Sequence, residues 1–454
     1  MSTEIRRYVR SLGLDAYVVG GAVRDELLGI DHADEDFLVP GLDQAGLRAA
    51  LEPHGRVEDM EVHGQLVGVR FHPHDRSLRR LARSGIELTP PRRERSTGPG
   101  HRDFEIVADP SVSIVEDMSR RDFTVNAMAR RLETDELVDP FGGRRDLERR
   151  ELRTVAPESF AEDPLRILRG LRLVSQLDFT LTDETLGQMR AEASGLAHVS
   201  PERIGGGQAA DGMGELSKLL LGRSPAVALR LARDTGTLVE VIQEFAAAIG
   251  YELPGGRQPV PLDEHVFAVV QGTAAAGAPL AIRVAALLHD LGKPEADRGE
   301  GGHARLGAEL ALSVMGRLRY PNSLRDEVGR IVAGHSFWLD GPIDALFARR
   351  FLASHGVELA ASLVTLKRAD LGAKEVEDWE LEHLAELERL LAEEAGSPHR
   401  LGDLAVDGTD LIAAGYDEGP ELGATLARLL DTVVDDPEAN ERERLIELAG
   451  EWLR

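Results

Sequence analysis

Cysteine is absent from the 454-residue sequence, and aromatic residues make up only 4% of it. Without cysteine the chain can form neither disulfides nor thiolate metal sites, so a bound metal must be held by Asp, Glu or His. The sequence also lacks an apolar run of about 18 residues, which a membrane span requires, and its first residues lack the apolar core of a secretory signal. We therefore expect a cytoplasmic protein without a membrane partner, and hard cations in its metal sites.

Positive charge is also scarce, because the net charge is −26 at pH 7. Such a balance disfavours indiscriminate binding of nucleic acid, which depends on neutralising phosphates, and we expect no DNA partner. Arginine is nevertheless concentrated between residues 70 and 102, where nine arginines stand against three acids, while residues 375–451 are heavily acidic. The basic segment indicates either a local polyanion-binding surface or an ordinary solvated face.

The length of the chain predicts several domains. Short β-type runs such as Tyr17-Val18-Val19 alternate with helical segments in the first 150 residues, whereas apolar residues after Arg153 recur at helical spacing. Glycine- and proline-rich stretches at 204–214 and 251–261 predict linkers. We predict an α+β head followed by all-helical regions, divided into a head at 1–150, a helical neck at 151–254, a third domain at 255–400 and a C-terminal helical segment at 401–454.

A double glycine joins the first strand to a helix. In Gly20-Gly21-Ala22-Val23-Arg24-Asp25, the backbone N–H groups at the helix start can face an anion, and Arg24 lies one turn further on. A triphosphate would suit this turn, although a double glycine also forms an ordinary tight turn.

Two aspartates follow in Asp34-Glu35-Asp36-Phe37. Residues two apart in a strand share a face, and a divalent cation relieves the repulsion between two carboxylates placed together. Glu87, in a later strand-like run, is either a third carboxylate of this site or a surface glutamate. The order strand, Gly-Gly, helix, Asp-x-Asp resembles the nucleotidyltransferase superfamily related to polymerase β. That resemblance implies a polymerase β-like mixed sheet, with Mg²⁺ ions held by Asp34 and Asp36.

Further motifs narrow the resemblance. The charged block at Arg120 runs into an apolar stretch up to Ala129, which we predict to be helical, with Asn126 inside it; the motifs DPFGG at 139–143 and EDPLRILR at 162–169 follow. Together with VVGGAVRD they resemble the class II tRNA nucleotidyltransferase and bacterial poly(A) polymerase family over residues 15–225, including a loop at 92–104 similar to the family's mobile loop. This implies addition of nucleotides from CTP and ATP to the 3′ end of tRNA.

The motif EDPLRILR at 162–169 suggests how bases are selected. If Asp163 and Arg166 share a helix face, a carboxylate acceptor and a guanidinium donor stand side by side. Cytosine and adenine present an amine next to a ring acceptor and match this pair, whereas uracil and guanine leave buried polar groups unpaired. The resemblance assigns the same role to these residues and adds Arg121 and Arg169 as nucleotide contacts, with Arg172 at the next helical spacing. The alternative is an ordinary amphipathic helix with exposed arginines.

The second half of the sequence is marked by histidines. His289-Asp290 ends an apolar helical run, which is costly without a ligand or partner. The wider pattern resembles an HD phosphohydrolase domain. The resemblance implies a divalent transition metal bound by His265, His289, Asp290 and Asp370, with His303 and His335 lining the site.

CCA addition to tRNA is the main hypothesis. A poly(A) polymerase and an enzyme adding only CC or only A remain open within the same chemistry. Two alternatives do not involve nucleotide addition. They are a metal-dependent phosphohydrolase with an RNA-binding head and a non-catalytic RNA-binding protein. The sequence does not determine the oligomeric state.

Overall fold

The computed structural model describes residues 2–31, 35–62, 65–96, 104–206, 213–253, 259–299 and 301–453. The chain forms two compact units, Met1–Gln243 and Glu244–Arg454. Among the described residues, none of the helices combines the length and the apolar character that crossing a bilayer requires.

The first unit is built on a mixed β-sheet, as predicted. Within the described residues the sheet order is β3-β4-β5-β2-β1-β8-β9, and β2 and β5 run parallel while the other neighbours are antiparallel. The remaining strands form a β6–β7 hairpin and a short parallel β10–β11 pair. The strands are β1 (Tyr17–Val19), β2 (Asp36–Leu38), β3 (Gly55–Val62), β4 (Gln65–Pro73), β5 (Ile86–Thr89), β6 (Arg92–Ser96), β7 (Phe104–Ala108), β8 (Ala129–Arg131), β9 (Leu137–Val138), β10 (Glu151–Leu152) and β11 (Thr180–Leu181).

Helices surround this sheet and make up most of the unit after residue 153, as the helical spacing predicts. They are α1 (Ser2–Ser11), α2 (Gly21–Leu28), α3 (Gln44–Leu51), α4 (Arg76–Leu81), α5 (Ile114–Ser119), α6 (Gly143–Arg149), α7 (Ser159–Glu162), α8 (Leu165–Leu177), α9 (Asp183–Glu192), α10 (Pro201–Ile204), α11 (Glu215–Leu220), α12 (Pro225–Asp234) and α13 (Thr237–Val241).

The two faces of the sheet have different roles. Val18, Phe37 and Leu88 are register partners on neighbouring strands and belong to a buried core that α1 and α3 cover. The next register row is Val19, Asp36 and Glu87. Because successive residues of a strand point to opposite faces, this row projects away from that core. The sheet thus presents carboxylates on one side and packs aliphatic and aromatic side chains on the other.

The prediction of a helical stretch up to Ala129 is wrong. Thr124–Asn126 forms a 3₁₀ turn, and Ala129 begins β8, which pairs with β1. Phe123, Met128 and Ala129 are fully buried. A short apolar run that is buried on every side has no period to distinguish helix from strand, and here pairing with β1 determines the structure.

Residue 150 lies inside the first unit. β10 pairs with β11 beyond it, and Phe123 forms an isolated bridge with Thr154. At the predicted linker 204–214, between α10 and α11, Gly214 N–H donates to Gly205 O at 2.9 Å. Residues 207–212 lie outside the described residues, as do 254–258 of the second linker. The division into four domains therefore stays a prediction.

The second unit is helical, as predicted. Its C-terminal helices, α21 to α23, pack around a separate small core that includes Leu411, Leu429 and Leu445, and α19 is interrupted at Gly356, where φ is 73°. The helices are α14 (Leu262–Ala275), α15 (Leu280–Leu288), α16 (Lys293–Ala296), α17 (His303–Arg317), α18 (Asn322–Gly334), α19 (Ala345–Leu371), α20 (Asp378–Glu394), α21 (Gly408–Ala413), α22 (Pro420–Asp435) and α23 (Arg442–Leu453).

Candidate active site and metal centre

A cavity of about 650 Å³ opens on the carboxylate-bearing side of the sheet in the first unit. Its lining combines many arginines with fewer carboxylates, which suits an anionic ligand accompanied by a cation. The charged lining residues are Arg24, Arg92, Arg120, Arg121, Arg166, Arg169, Arg172, Asp36, Glu87, Asp117, Asp122 and Asp163.

The double-glycine turn lies at the edge of this cavity. Gly20 is the N-cap of α2 with φ 76°, and a Cβ at this position would lie 2.5 Å from Nη1 of Arg121. Only glycine combines this backbone conformation with so close an approach. Gly21 and Arg24 line the cavity itself. The strand–turn–helix geometry is therefore as predicted, and the binding of phosphates there stays a prediction.

The carboxylates meet across parallel strands. Asp36 of β2 and Glu87 of β5 are register partners, so their side chains leave the same face of the sheet, and both line the cavity. Glu87 also accepts a hydrogen bond from Nη2 of Arg70 at 2.6 Å. Asp34 lies outside the described residues. Neighbouring carboxylate oxygens are ligands that Mg²⁺ prefers, so the donor set present fits a hard divalent cation.

A buried carboxylate that the sequence analysis missed connects the walls of the cavity. Asp122 is 5% exposed and accepts hydrogen bonds from the N–H of Phe123 at 2.8 Å, Nδ2 of Asn126 at 3.0 Å and Nε of Arg169 at 2.8 Å. Asn126 in turn accepts from Nη1 of Arg24 at 2.7 Å. Burial opposes ionisation of Asp122, but the charge of Arg169 and these hydrogen bonds hold its pKa well below the usual range.

Carboxylates also stand behind other cavity arginines. Burial lowers the pKa of the Arg121 and Arg172 guanidinium groups, and nearby acids oppose this shift. For Arg172 the acid is Glu215, whose Oε2 lies 2.7 Å from Nε, and for Arg121 the first of them is Asp117. Arg172 is therefore held by a carboxylate behind it, whereas Nη2 of Arg121 lies 3.7 Å from Oδ2 of Asp117. Little in the sequence signalled Asp122, because it ends the charged block at Arg120 and resembles a surface acid.

Asp163 and Arg166 both line the cavity, but not for the reason predicted. Asp163 has an extended backbone and precedes Pro164, the N-cap of α8, so it does not share a helix face with Arg166. Oδ2 of Asp163 accepts from Nη2 of Arg203 at 3.0 Å. Arg166 donates from Nη2 to the backbone oxygen of Arg120 at 2.8 Å. Each side chain is thus held separately, and their joint role in base selection stays a prediction.

The histidines and aspartates of the second unit converge. His265, His289, Asp290 and Asp370 are buried, and their ligand atoms lie within 4.8 Å of one another. Nε2 of His265 is 3.2 Å from Oδ1 of Asp370, and Nε2 of His289 is 3.1 Å from Oδ2 of Asp290. Asp290 also forms a second group with His303 and His335, which stand where the resemblance implies that they line the site.

The ring orientation in this cluster favours metal binding. Nδ1 of His289 lies 2.8 Å from the oxygen of Ala286, which fixes the tautomer that carries its proton on Nδ1. The buried Nε2 atoms of His265 and His289 lie close to carboxylate oxygens of Asp370 and Asp290, but within the described residues neither makes a hydrogen bond of good geometry. Burial also lowers the pKa of His289, which favours the neutral form that binds metals. The residues present therefore fit a divalent metal, whose identity stays open.

Comparison with known proteins places these sites in a family. The Poly A polymerase head domain model matches residues 16–153, and the HD domain model matches residues 262–373. A model described as the probable RNA and SrmB-binding site of polymerase A matches residues 178–249. The Multifunctional CCA protein of Cupriavidus pinatubonensis is 37% identical over 327 residues, covering 69% of this chain and 72% of that protein. The chain belongs to the CCA-adding nucleotidyltransferase family.

Other members of the CCA-adding family agree with this assignment. The Multifunctional CCA protein of Methylococcus capsulatus is 37% identical over 335 residues, covering 71% of this chain and 72% of that protein. The CCA-adding enzyme of Bacillus stearothermophilus, solved in complex with CTP, has a TM-score of 0.69 and 27% identity and covers 100% of this chain and 97% of that one. The Thermotoga maritima CCA-adding enzyme complexed with tRNA shares the fold, with a TM-score of 0.59 and 20% identity. The match covers 98% of this chain and 93% of that one.

The first prediction concerns Asp122. Because its pKa is depressed in the folded chain, its stabilising effect is present above the unfolded value of about 3.9 and is lost as the pH falls further. Asp122→Asn should lower the free energy of unfolding at pH 7 by about 1.5–3 kcal/mol, the range for hydrogen bonds to a charged group. Urea denaturation at pH 7, 5 and 3.5 should show this difference constant down to pH 5 and smaller at 3.5. Glu148→Gln, at a surface residue whose side chain is 66% exposed, is the control, and equal effects of the two substitutions contradict the prediction.

Proposed function

We propose that this chain adds C, C and A in order to the 3′ end of tRNA, using CTP and ATP. The observation that carries the proposal is the cavity of the first unit, in which the carboxylate row of Asp36 and Glu87 faces arginines and the Asp163–Arg166 pair. This arrangement provides for a cation, a polyphosphate and the edge of a base within one space. Relatives named Multifunctional CCA protein and a structural neighbour solved with CTP support the same substrate class.

The reaction is a nucleotidyl transfer. The 3′-hydroxyl oxygen of the tRNA forms a bond to the α-phosphorus, the bond between that phosphorus and the bridging oxygen breaks, and pyrophosphate leaves with the bonding electrons. The hydroxyl proton passes to solvent. Asp34 and Asp36 would hold Mg²⁺, which when bound would stabilise the negative charge that develops during the transfer. Glu87, the register partner of Asp36, is proposed as the third carboxylate beside it.

The arginines hold the triphosphate. Arg24 lies in the first turn of α2, which begins at the Gly20-Gly21 turn. The guanidinium group of Arg121 packs against Gly20. Arg169 is fixed by Asp122 and Arg172 by Glu215, so their guanidinium groups need little reordering when a nucleotide enters. Such preorganisation lowers the entropic cost of binding and stabilises the charge that develops during transfer.

Base selection depends on Asp163 and Arg166. Arg203 holds Oδ2 of Asp163, while Oδ1 accepts from the N–H of Leu165 at 3.1 Å. Each oxygen keeps a further lone pair with which to accept from an exocyclic amine. Arg166 is fixed through Nη1 by Ser159 and can donate to a ring nitrogen. Cytosine and adenine satisfy both groups, and uracil and guanine satisfy neither.

The second prediction tests the reaction. Purified protein with Mg²⁺ is incubated with tRNA transcripts that end before CCA, after C and after CC, and each labelled nucleotide is supplied separately and together. We expect C, C and A to be added in order, with extension then stopping. Long A tails would instead indicate a poly(A) polymerase, and products with only C or only A would indicate one half of a divided pathway.

Asp36→Asn is the matched active-site variant in this assay. It should slow incorporation on the order of 10²- to 10³-fold, as removal of a single transition-state contact does. Asp15→Asn, at an acid whose side chain is 44% exposed and pairs with Arg131, should leave the rate unchanged. An Asp36→Asn variant as fast as the unaltered chain contradicts the proposed cation site.

The third prediction concerns base choice. Asp163→Ala removes one of the two selecting groups, so incorporation of UTP relative to CTP should rise about 10- to 100-fold, since a good base contact contributes about 1–3 kcal/mol of discrimination. Competition between labelled CTP and UTP on a transcript ending before CCA measures this ratio. Glu133→Ala, at an exposed acid of the same unit, is the control. A reduced rate with an unchanged ratio would exclude a selecting role for Asp163.

A second candidate function belongs to the histidine–aspartate cluster. The buried Nε2 atoms of His265 and His289 face Asp290 and Asp370, a donor set that supports metal-dependent phosphohydrolysis. The adjoining cavity of about 330 Å³ is lined by three lysines, Lys293, Lys367 and Lys374, which favour a phosphate-bearing substrate.

The fourth prediction separates this activity from nucleotide addition. His289→Gln should reduce bound transition metal, measured by elemental analysis after dialysis against Mn²⁺, and should abolish hydrolysis of bis(p-nitrophenyl) phosphate. Nucleotide incorporation should persist, because the cluster lies in the second unit. His383→Gln, at a histidine whose Nδ1 lies 2.6 Å from the Leu339 oxygen, is the control. Equal metal content in both variants would remove the support for a metal centre.

A further inference from the structure

A buried ion pair lies directly beside the proposed cation-binding carboxylates. Glu35, the residue between Asp34 and Asp36, has a side chain that is only 4% exposed. Arg6 of α1 donates from Nε to Oε1 of Glu35 at 2.8 Å, and its Nη2 lies 2.7 Å from the same oxygen. A carboxylate so far removed from water requires a cation of this kind, because burying an unpaired charge is very costly.

Arg6 has a second acidic partner. Its Nη1 donates to Oε2 of Glu26 at 2.5 Å, and Oε1 of Glu26 lies 3.0 Å from Nε of Arg130. Glu26 belongs to α2, the helix that begins at the Gly20-Gly21 turn, and Arg130 belongs to β8. Arg6 is therefore held at a fixed place between α2 and the residue that precedes β2, rather than moving as a free surface arginine.

The residue before β2 poses a problem of placement. Phe37, in the core, fixes the register of β2 itself, because a slip of one residue would exchange the faces of all its side chains. Glu35 precedes β2 and is a carboxylate like Asp36, so its own polarity does not keep it out of the cavity. The side of the sheet opposite the cavity is packed by α1, which contributes Ile5 and Val9 to the core. Arg6 belongs to the same helix as these residues.

We propose that Arg6 is a positioning residue that holds Glu35 on the core side of the sheet and so fixes the backbone at the start of β2, where Asp36 faces the cavity. The inference rests on the proposed function, since it assigns Asp36 to the cation of nucleotidyl transfer. Arg6 touches neither substrate nor cation in this role. It acts through the backbone of Glu35 and Asp36.

Substitution of both partners distinguishes positioning from simple stabilisation. Arg6→Met removes the guanidinium group that pairs with Glu35, so the backbone at the start of β2 is held less firmly and the affinity of the head for Mn²⁺ should fall about 10-fold, the lower end for loss of a residue that orients a metal ligand. In the Arg6→Met/Glu35→Met double variant the side chain at position 35 is apolar and enters the core without a partner, so the affinity should return. Arg6→Lys keeps the charge and should give an intermediate value.

The experiment is a titration of the full chain with Mn²⁺, followed by electron paramagnetic resonance of free Mn²⁺. His289→Gln is present in every sample so that the histidine cluster does not contribute. Arg131→Met is the matched control, because Arg131 is an arginine of the same unit that pairs with an acid other than Glu35, namely Asp15. The Mg²⁺ concentration for half-maximal incorporation is measured in parallel. It should rise by the same factor in Arg6→Met.

The outcomes decide between the two roles. If Arg6 only stabilises the fold, Arg6→Met lowers the amount of binding-competent protein and leaves the Mn²⁺ affinity of that fraction unchanged, which overturns the proposal. A double variant no better than Arg6→Met also overturns it. If Arg6→Met does not fold, Arg6→Lys decides between the two roles. A Mn²⁺ affinity of Arg6→Lys below that of the unaltered chain supports the proposal, and an equal affinity overturns it. Because Mn²⁺ binding needs no tRNA, a chain that binds Mn²⁺ as expected but adds no nucleotide refutes the proposed function and retains the role of Arg6.

Discussion

The burial of the Asp122 charge is the constraint on which the cavity of the first unit depends. A carboxylate that is 5% exposed must be surrounded by donors, since an uncompensated buried charge is strongly destabilising. Its donors come from the 3₁₀ turn, through Asn126, and from α8, through Arg169, and Asn126 extends the network to Arg24 on α2. These elements form the walls of the cavity. The network that satisfies one buried charge therefore also holds the guanidinium groups of Arg24 and Arg169 at the cavity, so stability and cavity geometry cannot vary independently here.

Sequence patterns predicted the local structure well wherever one face of an element is polar. Strands β2 and β5 and the glycine turn before α2 follow from alternation and from turn chemistry. The pairing of β2 with β5 does not, because it joins residues about fifty positions apart and determines that Asp36 and Glu87 stand side by side. The strand at Ala129 was predicted to be helical, because a segment buried on all sides has no polar residues whose spacing distinguishes strand from helix. Asp163 was found from its motif, but its extended backbone was not, because Pro164 rather than helical spacing sets its position.

The histidine cluster was expected for a different reason. His289-Asp290 at the end of an apolar helical run implies a ligand or partner, and the other residues of the set were taken from the resemblance to an HD domain; their role as metal ligands stays a prediction. The helical packing of the second unit brings His265 of α14, His289 after α15 and Asp370 of α19 together. Local sequence could not supply the ring orientations. These depend on backbone oxygens such as that of Ala286, which become available only once the helix end is formed.

A net charge of −26 and an arginine-lined cavity are compatible, because charge is not spread evenly over the chain. Three of the cavity arginines, Arg121, Arg169 and Arg172, pair on the protein side with Asp117, Asp122 and Glu215. Such pairs reduce the local positive charge, but they also reduce the mutual repulsion of the arginines and restrict the movement of their guanidinium groups. Partly buried charges are screened less by salt than surface charges are. The orientation of these guanidinium groups therefore affects the electrostatic potential in the cavity more than their number does. In the proposed function, a few guanidinium groups held in place therefore provide the attraction for phosphate that a large positive surface provides in indiscriminate nucleic-acid binders. The rest of the chain can then be acidic.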